Sequence, residues 1–163
     1  MFLTPIAGRL PEGYATRLPG GSTFGQALLA PSLMYVPLVA ELLRLQVPVT
    51  YISHVTGHGL LKLMRPPRPL TYRIERLPPV PEVLEFLAGE SALDPPAAYS
   101  TFNMGSGYAL YCPAGQGERI VAAAESLGLD AVLAGRVEEG PRQVILEPVG
   151  VRFDSSKLEL SAS

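Results

Sequence analysis

Apolar positions recur at helical spacing over residues 33–45. Tyr35, Leu38, Val39 and Leu42 fall on one stripe there, and Leu43 widens it. Pro37 falls in the first turn, where its missing N–H costs least, and Ser32 marks the expected cap region. Pro48 ends that connection, and 49–55 reads as a strand. Both its faces are largely apolar, which predicts a central strand. A helix-like run over 60–64 is closed by Pro66-Pro67-Arg68-Pro69. Residues 70–76 then alternate, with Leu70, Tyr72 and Ile74 set against Thr71, Arg73 and Glu75, and predict a strand.

Val83, Leu84 and Leu87 mark a helix over 81–88, with Gly89 as its stop. Asp94-Pro95-Pro96 opens a short helix or turn that leads to Tyr99. A strand follows over 108–112, then a helix over 116–127 with Ile120, Val121, Ala124 and Leu127 on one face and Gly128 as its stop. Residues 131–137 and 143–147 read as strands around Glu138-Glu139-Gly140-Pro141, and are expected to pair as a hairpin. Residues 8–25 hold several Gly and Pro residues, with one short strand candidate at 14–17. The pattern predicts an α+β fold, a mixed β-sheet with helices packed on it. The expected division is an irregular segment or linker over 1–25, a domain over 26–153 and a polar, weakly ordered tail over 154–163.

Composition narrows the function classes. With 163 residues, 47% hydrophobic and 17% charged, the chain suits one globular domain. The net charge of −2, without a long basic run, disfavours nucleic acid as the main partner. No apolar run reaches membrane-spanning length, and the first residues do not read as a signal peptide. Cys112 is the only cysteine, so it forms no internal disulfide, and a cytoplasmic location is the expectation.

Candidate chemistry concentrates in two glycine-containing stretches. His54-Val55-Thr56-Gly57-His58-Gly59 lies between the 49–55 strand and the 60–64 run, and holds both histidines of the chain. A strand-to-helix turn of this kind can aim unpaired N–H groups at an anion. The bland alternative is a turn that needs glycine for its backbone angles. His54 serves either as a substrate hydrogen-bonder or as a satisfied histidine at a strand end. His58 is either a phosphate donor or an exposed side chain. Lys62 and Arg65, three apart, can share a face and add positive charge. The second stretch is Thr101-Phe102-Asn103-Met104-Gly105-Ser106-Gly107. Asn103 can offer a donor and an acceptor to a ligand, or stabilise the turn before Gly105. Gly105 and Gly107 are expected to shape backbone, and Phe102 and Met104 to be core. Two histidines straddling a turn with no carboxylate nearby are a poor metal pair, so no metal site is expected. Cys112 has no base partner and is expected to be inert.

Both stretches, in this order and spacing, resemble the C-terminal domain of the aminoimidazole ribonucleotide synthetase (phosphoribosylformylglycinamidine cyclo-ligase) family. That family carries His-x-Thr-Gly-Gly-Gly at a strand end and Thr-Phe-Asn-x-Gly-x-Gly about 45 residues later. Leu29-Ala30-Pro31-Ser32 and Ala134-Gly135-Arg136-Val137 add to the likeness, which covers about residues 20–150. The resemblance implies an ATP-dependent ligase of purine biosynthesis, in which ring closure on a ribonucleotide amidine gives an imidazole. It implies that ATP and Mg2+ bind mainly on an N-terminal domain outside this sequence, leaving none on this chain alone. It implies a phosphorylated, ribonucleotide-like small molecule as ligand. Its binding set would be His54, Thr56, Gly57, His58, Gly59, Lys62, Asn103 and Gly105, with no catalytic residue assigned. A separately encoded ATP-binding domain and a homo-oligomer are the partners considered. Three positions depart from the family: His58 replaces the middle glycine, Lys62-Leu63 replaces a Glu-Asn pair, and Ser100 replaces an arginine. The alternative is therefore a non-catalytic module that binds a nucleotide or phospho-metabolite, or docks on a partner.

Overall fold

The structure is a computed structural model and describes residues 3–156. Among the described residues six α-helices and six strands follow in mixed order: α1 (Leu3–Arg9), α2 (Phe24–Leu28), α3 (Val36–Arg44), β1 (Tyr51–His54), β2 (Leu70–Ile74), α4 (Glu82–Glu90), α5 (Pro95–Thr101), β3 (Tyr108–Tyr111), α6 (Gly117–Ser126), β4 (Gly135–Glu139), β5 (Gln143–Leu146) and β6 (Val151–Asp154). A 3-10 helix, Gly59–Met64, replaces the expected short α-helix after the first glycine stretch. The architecture is α+β with mixed strand pairing, as the hydrophobic pattern predicts.

The strands form two sheets. A four-stranded sheet has the order β4-β2-β5-β6, with β2–β5 parallel and the other pairs antiparallel. A two-stranded antiparallel sheet joins β1 to β3. The central place predicted for 49–55 is thus not observed. Its strand is four residues long and pairs on one side only, with Ser53 buried and Tyr51 and His54 exposed.

The expected hairpin of 131–137 with 143–147 is also not observed. β4 begins at Gly135, and β2 lies between β4 and β5. The intervening turn crosses the start of β2. Gly140 N–H donates to the Pro69 carbonyl at 3.3 Å, and the Thr71 hydroxyl donates to the Pro141 carbonyl at 2.9 Å. Strands beside one another sit about 4.8 Å apart, so a turn of a few residues spans two such spacings as readily as one.

Helix boundaries follow local chemistry. α5 is capped by Asp94, whose carboxylate accepts from Ala97 N–H at 2.8 Å, and proline sits in its first turn. α3 starts three residues later than predicted; its N-cap is Tyr35 rather than Ser32, and no side chain bonds there. α4 runs through Gly89 to Glu90, so that glycine does not stop it. On α6 the inward face is Ile120, Ala123 and Ala124, while Leu127 is exposed.

Three apolar clusters carry the packing. The largest joins Val55, Leu60, Met64, Tyr72, Tyr99, Met104, Val144, Leu146 and Phe153, between the four-stranded sheet and the 3-10 helix. A second packs Leu38 and Leu42 of α3 against Ile120 and Ala124 of α6. The third shows that much of the segment expected to be irregular is packed. Ile6 and Ala7 of α1, Leu18 and Phe24 are buried together with Leu87 of α4. The strand candidate at 14–17 is instead a short 3-10 turn, Gly13–Ala15, followed by one bridge from Arg17 to Thr23. Of the predicted tail, 157–163 lies outside the described residues.

Candidate functional site

The two glycine-containing stretches meet. β1 pairs with β3 so that His54 lies opposite Tyr108, and Val55 N–H donates to the Gly107 carbonyl at 2.9 Å. Gly59 seats against the C-terminal end of α5. A Cβ at Gly59 would stand on the Tyr99 carbonyl oxygen and 2.6 Å from that of Phe102. Residues from 40 to 54 positions apart in sequence therefore form one surface, built from the end of β1, the start of β3 and the turn adjoining each.

The turn at 54–59 has two left-handed residues in succession, His58 at φ +75° and Gly59 at φ +48°. Histidine is among the few non-glycine residues enriched in that region. Gly57 differs. Its φ lies outside the left-handed region, it is exposed, and a Cβ there would meet no atom within 4 Å. Glycine at 59 is thus required by backbone and packing, whereas glycine at 57 leaves open space over the turn.

Lys62 closes the turn from the 3-10 helix. Its ammonium donates to the Thr56 hydroxyl and, at 3.4 Å, to the His54 carbonyl. Its own carbonyl accepts from the buried Ser53 hydroxyl at 3.2 Å, which ties the helix to β1. Burial first, and then the charge of Arg65, lower the Lys62 pKa. The leading N–H groups of the 3-10 helix are partly used within the turn: Gly59 N–H donates to the Thr56 carbonyl and Leu61 N–H to the His58 carbonyl, both at 3.2 Å. The positive charge at this turn is a side chain's.

In the second stretch, Asn103 Oδ1 accepts from Gly105 N–H at 3.1 Å, and the Asn103 carbonyl accepts from Ser106 N–H at 2.8 Å. That oxygen stabilises the turn. Gly105 has φ +89°, and a Cβ there would lie 2.5 Å from the Pro79 carbonyl. Met104 is buried and Phe102 packs beside it, both as expected of core residues.

Two tyrosines complete the surface. Tyr35 and Tyr108 stack with centroids 4.4 Å apart and planes within 5°, and the His54 ring stands edge-on to both at 6.0 Å. The Tyr35 hydroxyl sits where a Gly107 Cβ would project. Burial, and then the neighbouring Tyr108, raise the Tyr35 pKa. Helical spacing reads Tyr35 as part of the α3 core stripe, although it precedes the first helical residue and turns to the site. Nothing in the alternation of β3 marks Tyr108 as its partner.

Among the described residues no three His, Cys, Asp or Glu side chains are grouped to hold a metal ion. The donor set at the turn is a hydroxyl, a carbonyl, an imidazole and an ammonium, which does not fit Mg2+.

The fold and the paired stretches define a class of α+β domain. The chain belongs to the family described as AIR synthase related protein, C-terminal domain, which matches residues 9–147. Among full-length relatives, the phosphoribosylformylglycinamidine cyclo-ligase of Methanococcus maripaludis strain C5 is 27% identical over 146 residues, covering 88% of this chain and 42% of that protein. The protein of the same name from Alkaliphilus metalliredigens is 32% identical over 131 residues, covering 77% of this chain and 37% of that protein. That from Rippkaea orientalis is 29% identical over 136 residues, covering 80% and 39%. The chain thus spans about two-fifths of the length of the relatives it matches. Among the described residues no helix is long and apolar enough to cross a membrane.

Proposed function

We propose that this chain is the substrate-binding half of a cyclo-ligase-type enzyme of cytoplasmic purine biosynthesis. Its ligand would be a phosphorylated, ribonucleotide-like small molecule. The observation that carries this reading is the junction of the two stretches: Val55 bonded to Gly107, His54 opposite Tyr108, and the Lys62 ammonium on Thr56. Thr56, Gly57 and Lys62 would receive the phosphate, with His54 and the tyrosine pair at its side. Asn103 and Gly105 set the backbone that supports them, and the Asn103 amide nitrogen is the group that would meet a heterocycle or amide. Such a site contributes orientation and charge stabilisation. Because the turn lacks carboxylates, ATP and Mg2+ are assigned to the part of the family's length outside this sequence, on the same or a separate polypeptide.

The test is reconstitution. Mixing the chain with a protein carrying that remaining part should give ATP-dependent ring closure of the amidine substrate, lost in Thr56→Val. Robust ring closure by this chain alone would refute the division of labour. A second reading, a non-catalytic binding module, is favoured by the Lys62 contact. Calorimetric binding of ribonucleotides, with no activity when the remaining part is supplied, would select it.

A further inference from the structure

We infer that the 54–59 turn takes its anion directly, without a divalent cation, and that Lys62 is the binding residue that supplies the counter-charge. The inference rests on the proposed phosphate-binding role of this turn.

Lys62 is held at both ends. Its carbonyl is fixed to Ser53, and its ammonium reaches the Thr56 hydroxyl and the His54 carbonyl. Those two oxygens are the hard donors a magnesium ion would need here. Each already faces a cation, so a metal ion at either would meet like charge at close range. No group of metal-ligating side chains offsets this among the described residues. An anion meets the opposite situation. An ammonium has three N–H donors, and two are described as bonded within the turn. The third can serve a phosphate oxygen. Approach is open over Gly57, which is exposed and has no atom within 4 Å of its Cβ position. Arg65 lies near enough for its positive charge to act on Lys62. An anion relieves that repulsion; a metal ion adds to it. The class of ligand is a phosphate monoester dianion, such as a sugar 5′-phosphate, in its uncomplexed form.

The experiment is calorimetry on the full chain with ribose 5-phosphate and, separately, inorganic phosphate, in EDTA and again in millimolar Mg2+. The expected result is binding in EDTA, with Mg2+ changing Kd by less than about twofold, and about tenfold weaker binding in Lys62→Gln. Lys62→Arg should keep most of the affinity, and a thermal melt of each variant should show a folded chain. Arg44→Gln, on the far exposed end of α3, should match wild type. Binding that appears only with Mg2+, or that Lys62→Gln leaves unchanged, would overturn the inference while leaving the phosphate reading standing. Absence of binding by either probe under both conditions would overturn both.

Discussion

Replacing Gly59 by alanine should cost far more than replacing Gly57, two residues away in the same turn. At Gly59 an added Cβ lands on the Tyr99 carbonyl oxygen, 2.6 Å from the Phe102 oxygen and 2.9 Å from the Tyr99 carbonyl carbon. All three are backbone atoms at the end of α5, so no side chain can swing away. The left-handed backbone at φ +48° adds about 1–2 kcal/mol for a residue with a Cβ. Overpacking against fixed atoms adds about 1–3 kcal/mol. The restricted unfolded chain returns only about 0.4–1 kcal/mol. The net expectation is a loss of about 1–5 kcal/mol. With a urea slope of about 2 kcal/mol per molar, the midpoint should fall by about 0.5–2.5 M. Gly57→Ala has neither clash nor left-handed strain, so it should match wild type or gain up to about 1 kcal/mol. Urea titration followed by far-UV circular dichroism measures both. If the two variants shift the midpoint alike, the assignment of Gly59 to backbone packing and Gly57 to open space is wrong.

Asp94→Ala removes the α5 cap and should lower stability by about 1 kcal/mol, or Tm by about 2–4 °C, with Asp94→Asn largely restoring it. Glu138 is hydrogen-bonded and paired with Arg73, which holds its carboxyl below the ordinary 4.5. Its contribution is present above the ordinary carboxylate pKa and lost as pH falls through the lowered native value. The drop in Tm below about pH 4.5 should therefore flatten in Arg73→Gln, and an unchanged acid limb would exclude this pair as its source. Burial raises the Cys112 thiol, which packs beside the α3–α6 cluster. At pH 8 it should react with a disulfide reagent more slowly in the native chain than in urea; equal rates would show an exposed thiol.

Elements whose boundaries are written in local chemistry were legible. Asp94 with two prolines announced α5, the alternation from Leu70 announced β2, and Gly128, at φ +72°, marks the end of α6. Pairing was not legible, because alternation states which face is buried and not which strand lies alongside. Thus the Gly140-Pro141 turn reads equally as a hairpin and as a crossing over β2. β6 carries only a four-residue signal, Val151 and Phe153 inward against Arg152 and Asp154 outward beside a left-handed Gly150, at the lower limit of length for marking a strand by alternation. At the site, the two stretches and Lys62 were visible as residue types. The tyrosine pair was not, since Tyr35, just before α3, and Tyr108, at the start of β3, meet only in the folded chain.

The distinction between a helix terminus and a side chain as the source of positive charge decides how this site should behave. A long α-helix presents several unpaired N–H groups and a dipole that no single substitution removes. Here the segment after the turn is a six-residue 3-10 helix, and two of its N–H groups already bond within the turn. The charge bonded into the turn is the Lys62 ammonium, which reaches Thr56 and His54 while the Lys62 carbonyl accepts from Ser53. Charge recognition at such a site is concentrated in one replaceable atom group and is screened by salt in proportion to its exposure. Lys62, one of three places where the sequence departs from the family pattern, is therefore also the residue on which the proposal makes the sign of the ligand depend.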